Sequence, residues 1–262
     1  MIYQHIQFET RGAIAKLTLD RRAVMNALNR AAVEEIDDAL NRVRDEGASR
    51  VLLLTGAGRA FCSGADIEAE LAPPSGESDL GGLLDRHLNP LIEKMLSLPV
   101  PVVAAVNGAA AGAGCSLALA ADLVLASRTA YFLLAFVNIG LVPDSGITWL
   151  LPRLVGRSRA LQMMLLGERV DAVQAEQWGL ICRTVEPDEL EAASMTLAQR
   201  LANGPTQAYS LARGCMRASM ESTLTEVLAL ESRNQVLASR TGDFAEGVMA
   251  FRQKRPPQFG GR

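Results

Sequence analysis

Apolar and polar positions change period several times along the chain, and each change predicts an element. Ala13 to Leu19 alternates as a half-buried strand does. From Ala27 to Arg44, the residues Leu28, Val33, Ile36, Leu40 and Val43 recur at helical spacing and predict an amphipathic helix. Val51-Leu52-Leu53-Leu54 is a continuous apolar run, the pattern of a strand covered on both faces. The glycine-punctuated loop GAGRAFCSGAD follows it. Ala72 to Gly82 is rich in Pro, Gly and Ser and predicts a mobile loop. A helix is expected from Leu83 to Leu98, stopped by Pro99 and Pro101.

Val102 to Val106 predicts a second buried strand, NGAAAGAG a second glycine-rich turn, Cys115 to Ala121 a short buried helix, and Leu123 to Ala126 a third strand. Strand, glycine loop, helix, strand is the order of an α/β fold. Beyond Asp188 the pattern is helical, over Glu189–Ala202, Thr206–Met220, Leu224–Ser239 and Phe244–Gln253. The organisation expected is an α/β core over 1–200 and a helical C-terminal region over 201–262. No internal repeat or low-complexity tract is visible.

Composition narrows the function. The 262 residues are 49% hydrophobic with a net charge of −3. No long basic run occurs, so nucleic-acid binding through a broad phosphate-contacting surface is not expected. Cys62, Cys115, Cys182 and Cys215 form no CxxC pair, and with His5 and His87 alone they do not make a zinc cluster. Free thiols in a cytoplasmic protein are the expectation. The first twenty residues lack a signal-peptide layout. The most apolar stretch, Val100 to Ala126, is too interrupted by glycines, Asn107 and Asp122 to span a membrane.

The loop NGAAAGAG admits several chemistries. A dinucleotide site would need a Tyr-x-x-x-Lys pair, but Tyr3, Tyr131 and Tyr209 are followed four residues on by Gln7, Ala135 and Arg213. A nucleophile elbow at Ser116 would need a histidine downstream, and none occurs after His87. An oxyanion hole would use two glycine turns, Phe61 to Asp66 and Gly108 to Gly114, whose free backbone N–H groups converge on one oxygen. Such donors suit the enolate formed by removing a proton beside a thioester. Tight turns that only allow close helix packing remain the alternative.

Residues 51 to 67 (VLLLTGAGRAFCSGADI) and 102 to 125 (VVAAVNGAAAGAGCSLALAADLVL) resemble the two signatures of the crotonase, or enoyl-CoA hydratase/isomerase, superfamily. LDRRAVMNAL near the start and EQWGLI around Gln177 stand where that family has similar segments. The resemblance implies a crotonase-like spiral of ββα units, with a C-terminal helical region that packs between subunits of a trimer or a hexamer. It implies an acyl-CoA substrate with no added cofactor or metal. The oxyanion donors carry over to the backbone N–H of Ala65 and Ala113, and adenine contacts to Ser63, Ala65 and Ile67. Lys254 would meet the CoA phosphates. Arg22 and Ala23 replace a common Pro and Lys, which puts a phosphate contact near them in doubt.

The departures bear on the chemistry. The two glutamates with which family hydratases position water fall here on Ser116 and Phe136. A hydroxyl and a phenyl ring cannot supply the proton acceptor and donor that hydration needs. Asp144, in Gly140-Leu141-Val142-Pro143-Asp144, stands where hydratases usually have glycine. This arrangement is similar to that of the dienoyl-CoA isomerases. AFVNIGLVPDSGITWLLPRLVGRSRA, RHLNPLIEKMLSLP and EGVMAFRQKRPPQF resemble, over longer stretches, isomerases acting on ring-1,2-epoxyphenylacetyl-CoA. By spacing alone Asp144 reads as a helix cap; by resemblance it is the acid/base of an isomerase. The expected pocket is walled by Phe132, Phe136, Leu141 and Ser116, with His87 either joining it or lying on the helix surface, and apolar walls would raise the carboxyl pKa.

Overall fold

The computed structural model describes residues 2–68 and 80–262. Strands β1 (Ile6–Arg11) and β2 (Ile14–Leu19) form an antiparallel hairpin, and α1 (Arg30–Glu46) follows, capped by the Asn29 side chain on Ala32 N–H. Next come β3 (Val51–Gly56), β4 (Ala60–Cys62), and two helices, α2 (Leu80–Leu83) and α3 (Asn89–Ser97), joined through a π-helical segment over Leu84–Leu88. Then follow β5 (Val102–Val106), β6 (Ala109–Ala111), α4 (Ala113–Leu119), β7 (Leu123–Ser127), β8 (Tyr131–Leu133) and α5 (Ile147–Leu166). β9 (Arg169–Asp171), α6 (Ala172–Gln177) and β10 (Arg183–Val185) close the sheets. The chain ends in α7 (Leu190–Ala202), α8 (Thr206–Ser219), α9 (Leu224–Ala238) and α10 (Gly242–Gln253).

The order is a spiral. β3, β5 and β7 lie side by side in a sheet ordered β1-β2-β3-β5-β7-β10, while the short strands after them build a second sheet ordered β4-β6-β8-β9. Each turn of the spiral therefore lays one strand in each sheet and then adds helix. The repeat is architectural and leaves no repeat in the sequence. Alternation along β3 shows how both faces are covered. Leu52 and Leu54 join the core shared with the second sheet, α1 and α3, whereas Val51 and Leu53 pack under α7 against Leu190, Ala198 and Ala202. Burying one such Leu or Val contributes about 1.5–3 kcal/mol.

Several expectations change. The expected loop over Ala72–Gly82 lies outside the described residues up to 79, and Leu80–Gly82 already belong to α2. NGAAAGAG is not one turn, since Ala109–Ala111 is a strand between two turns. α5 was not anticipated, because Pro152 and Gly156 interrupt its pattern; the helix breaks at Gly156, with φ 77° and ψ 163°. Cys62 and Cys115 are buried free thiols, their pKa pushed up to about 12 by burial, and act as small apolar residues. Among the described residues no helix is long and apolar enough to cross a membrane.

Candidate active site

The first glycine turn follows β4. Leu28 N–H donates to Gly64 O at 2.7 Å and Asp66 N–H donates to Leu28 O at 2.9 Å. This parallel bridge uses the groups flanking Ala65 and turns the Ala65 N–H the other way. The second turn ends at Gly112, where α4 begins. Cys115 and Ser116 N–H donate back to Gly112 O at 2.9 and 3.2 Å. The N–H groups of Ala65 and Ala113 have no acceptor among the described residues. The two turns touch. A Cβ on Gly64, at φ +101°, would stand 2.9 Å from Ala111 O and 3.5 Å from Ala113 N. Only glycine lets the two donors come this close.

A cavity of about 220 Å³ opens over the paired turns. Its described wall includes Ser63, Ala65, Leu84, Leu88, Ala113, Phe136, Leu141 and Asp144, with Ile67 exposed at the rim. Asp144 is the one ionisable side chain among the described wall residues. Burial raises the pKa of its carboxyl, and a hydrogen bond from Ser145 opposes that rise.

The Asp144 corner is built by three left-handed residues. Gly140, at φ 74°, ends a 3-10 turn over Ala135–Ile139, and Leu141 N–H donates to Phe136 O at 2.9 Å. Ser145 (φ 54°) and Gly146 (φ 75°) then swing the chain into α5. The capping position of α5 is Gly146, and no side chain caps it. Asp144 is therefore not a helix cap. Its backbone carbonyl accepts from Ile147 N–H and from Ser116 Oγ, both at 3.2 Å, and its Oδ1 accepts from Ser145 Oγ at 2.8 Å.

The remaining expected residues divide. Ser63 stays on the wall, anchored by its N–H to Met25 O at 3.0 Å and its hydroxyl to Val24 O at 3.2 Å. Ser116 does not line the cavity: it is fully buried behind the wall, where its hydroxyl holds the Asp144 backbone. Phe132 is fully buried in the core, because alternation along β8 turns it away from the site. His87 is half-buried and off the wall, since the π segment puts Leu84 and Leu88 on the cavity face instead. Lys254 also stands off the wall, in a left-handed residue that ends α10.

Asn26 escaped the sequence reading. It is 1% exposed and donates to the carbonyls of Ala57, Ala60 and Phe61, while its Oδ1 accepts from Arg21 N–H at 2.8 Å. It binds the Leu19–Leu28 segment to β4, and so fixes the strand that leads into the Ala65 turn. Arg21 adds an ion pair to Asp66 at 2.9 Å. The signal was present, an asparagine inside LDRRAVMNAL, but the carbonyls it reaches lie 31 to 35 residues away in sequence.

Comparison with known proteins identifies the family. The enoyl-CoA hydratase/isomerase family profile matches residues 9–262. The chain is 45% identical over 262 residues, all of both chains, to a probable enoyl-CoA hydratase of Rhodobacter capsulatus. It is 43% identical over 250 residues, 95% of each chain, to the 1,2-epoxyphenylacetyl-CoA isomerase of Escherichia coli. The crystal structure of a putative enoyl-CoA hydratase from Streptomyces coelicolor superposes with a TM-score of 0.94 at 36% identity, covering 100% of this chain and 96% of that one. Likeness of this extent, in sequence and in the spiral of paired strands, makes the chain an enzyme of the enoyl-CoA hydratase/isomerase family with the crotonase fold.

Proposed function

We propose that the chain is an acyl-CoA isomerase in which Asp144 is acid and base by turns. The thioester oxygen accepts from Ala65 N–H and Ala113 N–H. Asp144 takes a proton from the acyl chain, the C–H electron pair delocalises onto the held oxygen as a dienolate, and Asp144 returns the proton to a different carbon. A double bond moves, and nothing is oxidised or reduced. The scheme draws on groups of this chain alone. On typical values each oxyanion donor contributes roughly 10²–10³ in rate and the proton-transferring group roughly 10²–10⁴.

The observation that carries this reading is that Asp144 is the one carboxylate among the described residues of an apolar cavity wall and is free of any capping duty. Of the two positions where hydratases carry glutamate, one is the apolar wall residue Phe136 and the other, Ser116, is hidden behind the wall. The similarity to an epoxyphenylacetyl-CoA isomerase supports a ring-epoxide acyl-CoA as a substrate, for which the same proton transfer would accompany opening of the strained epoxide ring; for a 3-enoyl-CoA the proton transfer alone completes the reaction. Similarity to a probable enoyl-CoA hydratase keeps hydration as the second reading. The cavity has room for an acyl group, and the CoA portion would leave past Ser63 and Ile67.

Asp144→Asn keeps the size and removes the base. Isomerisation of a 3-enoyl-CoA or of ring-1,2-epoxyphenylacetyl-CoA should fall by at least ~10², with thioester affinity by calorimetry nearly unchanged. Full isomerase activity in Asp144→Asn would overturn the proposal, and faster hydration than isomerisation by the unaltered enzyme would favour the second reading. The chain is further proposed to assemble as a trimer or hexamer. α9 has no buried residue and exposes Leu224, Leu228, Val236 and Leu237, an apolar surface that calls for a partner. Light scattering at micromolar concentration should give a multiple of three, and a monomer would contradict it.

A further inference from the structure

The residue after Asp144 is oddly chosen. Ser145 is 2% exposed and sits at φ 54°, a left-handed conformation that glycine adopts freely and serine does not. Gly146 beside it, at φ 75°, shows that the corner accepts glycine. What serine adds and glycine lacks is its hydroxyl, which donates to Asp144 Oδ1 at 2.8 Å. The backbone of Asp144 is already held by Ser116 Oγ and Ile147 N–H at its carbonyl. Rotation of the carboxylate is the freedom left, and the Ser145 hydroxyl removes it. Oδ2 accepts no hydrogen bond among the described residues. It is not a buried orphan either, because no described buried side-chain polar atom lacks a partner, so Oδ2 opens onto the cavity.

We infer that Ser145 is the positioning residue of the acid/base: its hydroxyl occupies Oδ1 and leaves Oδ2 as the oxygen that takes up and returns the proton. The inference rests on the reading of Asp144 as the base. A hydrogen bond to the ionised carboxylate also counters the pKa rise that burial causes. The sign of the effect follows. Without the hydroxyl the carboxyl pKa rises further, the ionised base is lost at a higher pH, and the acid limb of the kcat/KM profile moves up in pH.

The test compares Ser145→Ala with Ser145→Gly. Both remove the hydroxyl, but only glycine also relieves the left-handed backbone. Thermal melting confirms that each folds and should place Ser145→Gly above Ser145→Ala. In both variants the acid limb should move to higher pH by the same amount, lowering kcat/KM on that limb roughly three- to tenfold. An unmoved limb in both, a fall of the plateau alone, or a shift in Ser145→Ala that Ser145→Gly restores would overturn the inference. The last two outcomes would assign Ser145 to backbone shape. Asp144→Asn run alongside separates the failures. If it loses turnover while the limb stays put, only the role of Ser145 falls; if it keeps turnover, the reading of Asp144 itself falls.

Discussion

The paired turns at Ala65 and Ala113 and the corner at Asp144 face each other across one cavity, yet they are built by opposite means. The turns work through the backbone. Their donors are aimed by glycines that let two strands and a helix approach, and Asn26 ties the assembly from behind with a fully buried side chain. Apart from proline, no substitution deletes a backbone N–H, so this half otherwise fails only by losing its packing. The corner works through a side chain. Asp144 is half-buried, and its loop is held by single hydrogen bonds from Ser116 and Ser145. On the proposed reading, one substitution there would change the chemistry and leave the fold intact. If the turns hold the thioester as proposed, the difference would let one scaffold keep that half while the side chains at the corner vary.

Breaking the turn half should have the largest effect. A Cβ on Gly114 would overlap Cys62 O and lie 2.7 Å from Cys62 Sγ, and both partners are in the buried core with nowhere to move. Gly114→Ala should lower stability by about 3 kcal/mol in urea unfolding and reduce turnover and thioester affinity together. Unchanged affinity in a folded Gly114→Ala would show that the turns are not the binding half. Asp144→Asn is the contrasting case, with a large loss of rate and little loss of binding, and the Ser145 pair follows with its displaced acid limb. The smallest effect belongs to Ser116→Ala. It removes one 3.2 Å hydrogen bond to the Asp144 carbonyl, which Ile147 N–H still holds. A loss of about 1 kcal/mol in stability and a roughly two- to fivefold fall in kcat are expected. A fall in Ser116→Ala as deep as that of Asp144→Asn would move Ser116 into the chemistry.

Much of this was legible before any coordinates. The apolar run at Val51–Leu54 and the block at Val102–Val106 read as strands covered on both faces, and they are the middle of the main sheet. α1 and the four C-terminal helices lie within a few residues of their periodic patterns, because periodicity reports which face of a local segment is buried. The second sheet was illegible. Its strands are three residues each, too short to show a period of two, and they exist only because the spiral brings their edges together.

By itself the sequence determined where the long elements run, where the glycine-rich segments lie, and that a carboxylate stands at Asp144. Tertiary structure alone decided where those groups point and what they touch. It turned Ser116 and Phe132 off the cavity, rotated His87 aside on a π segment, and gave the capping position of α5 to Gly146 rather than Asp144. It also joined Asn26 to Ala60 and Ser116 to Asp144. The reason is one of range. Hydrophobic period and turn chemistry act within a few residues, whereas the direction of a side chain and its hydrogen-bond partner are set by the register of strands and helices that meet only when the spiral closes.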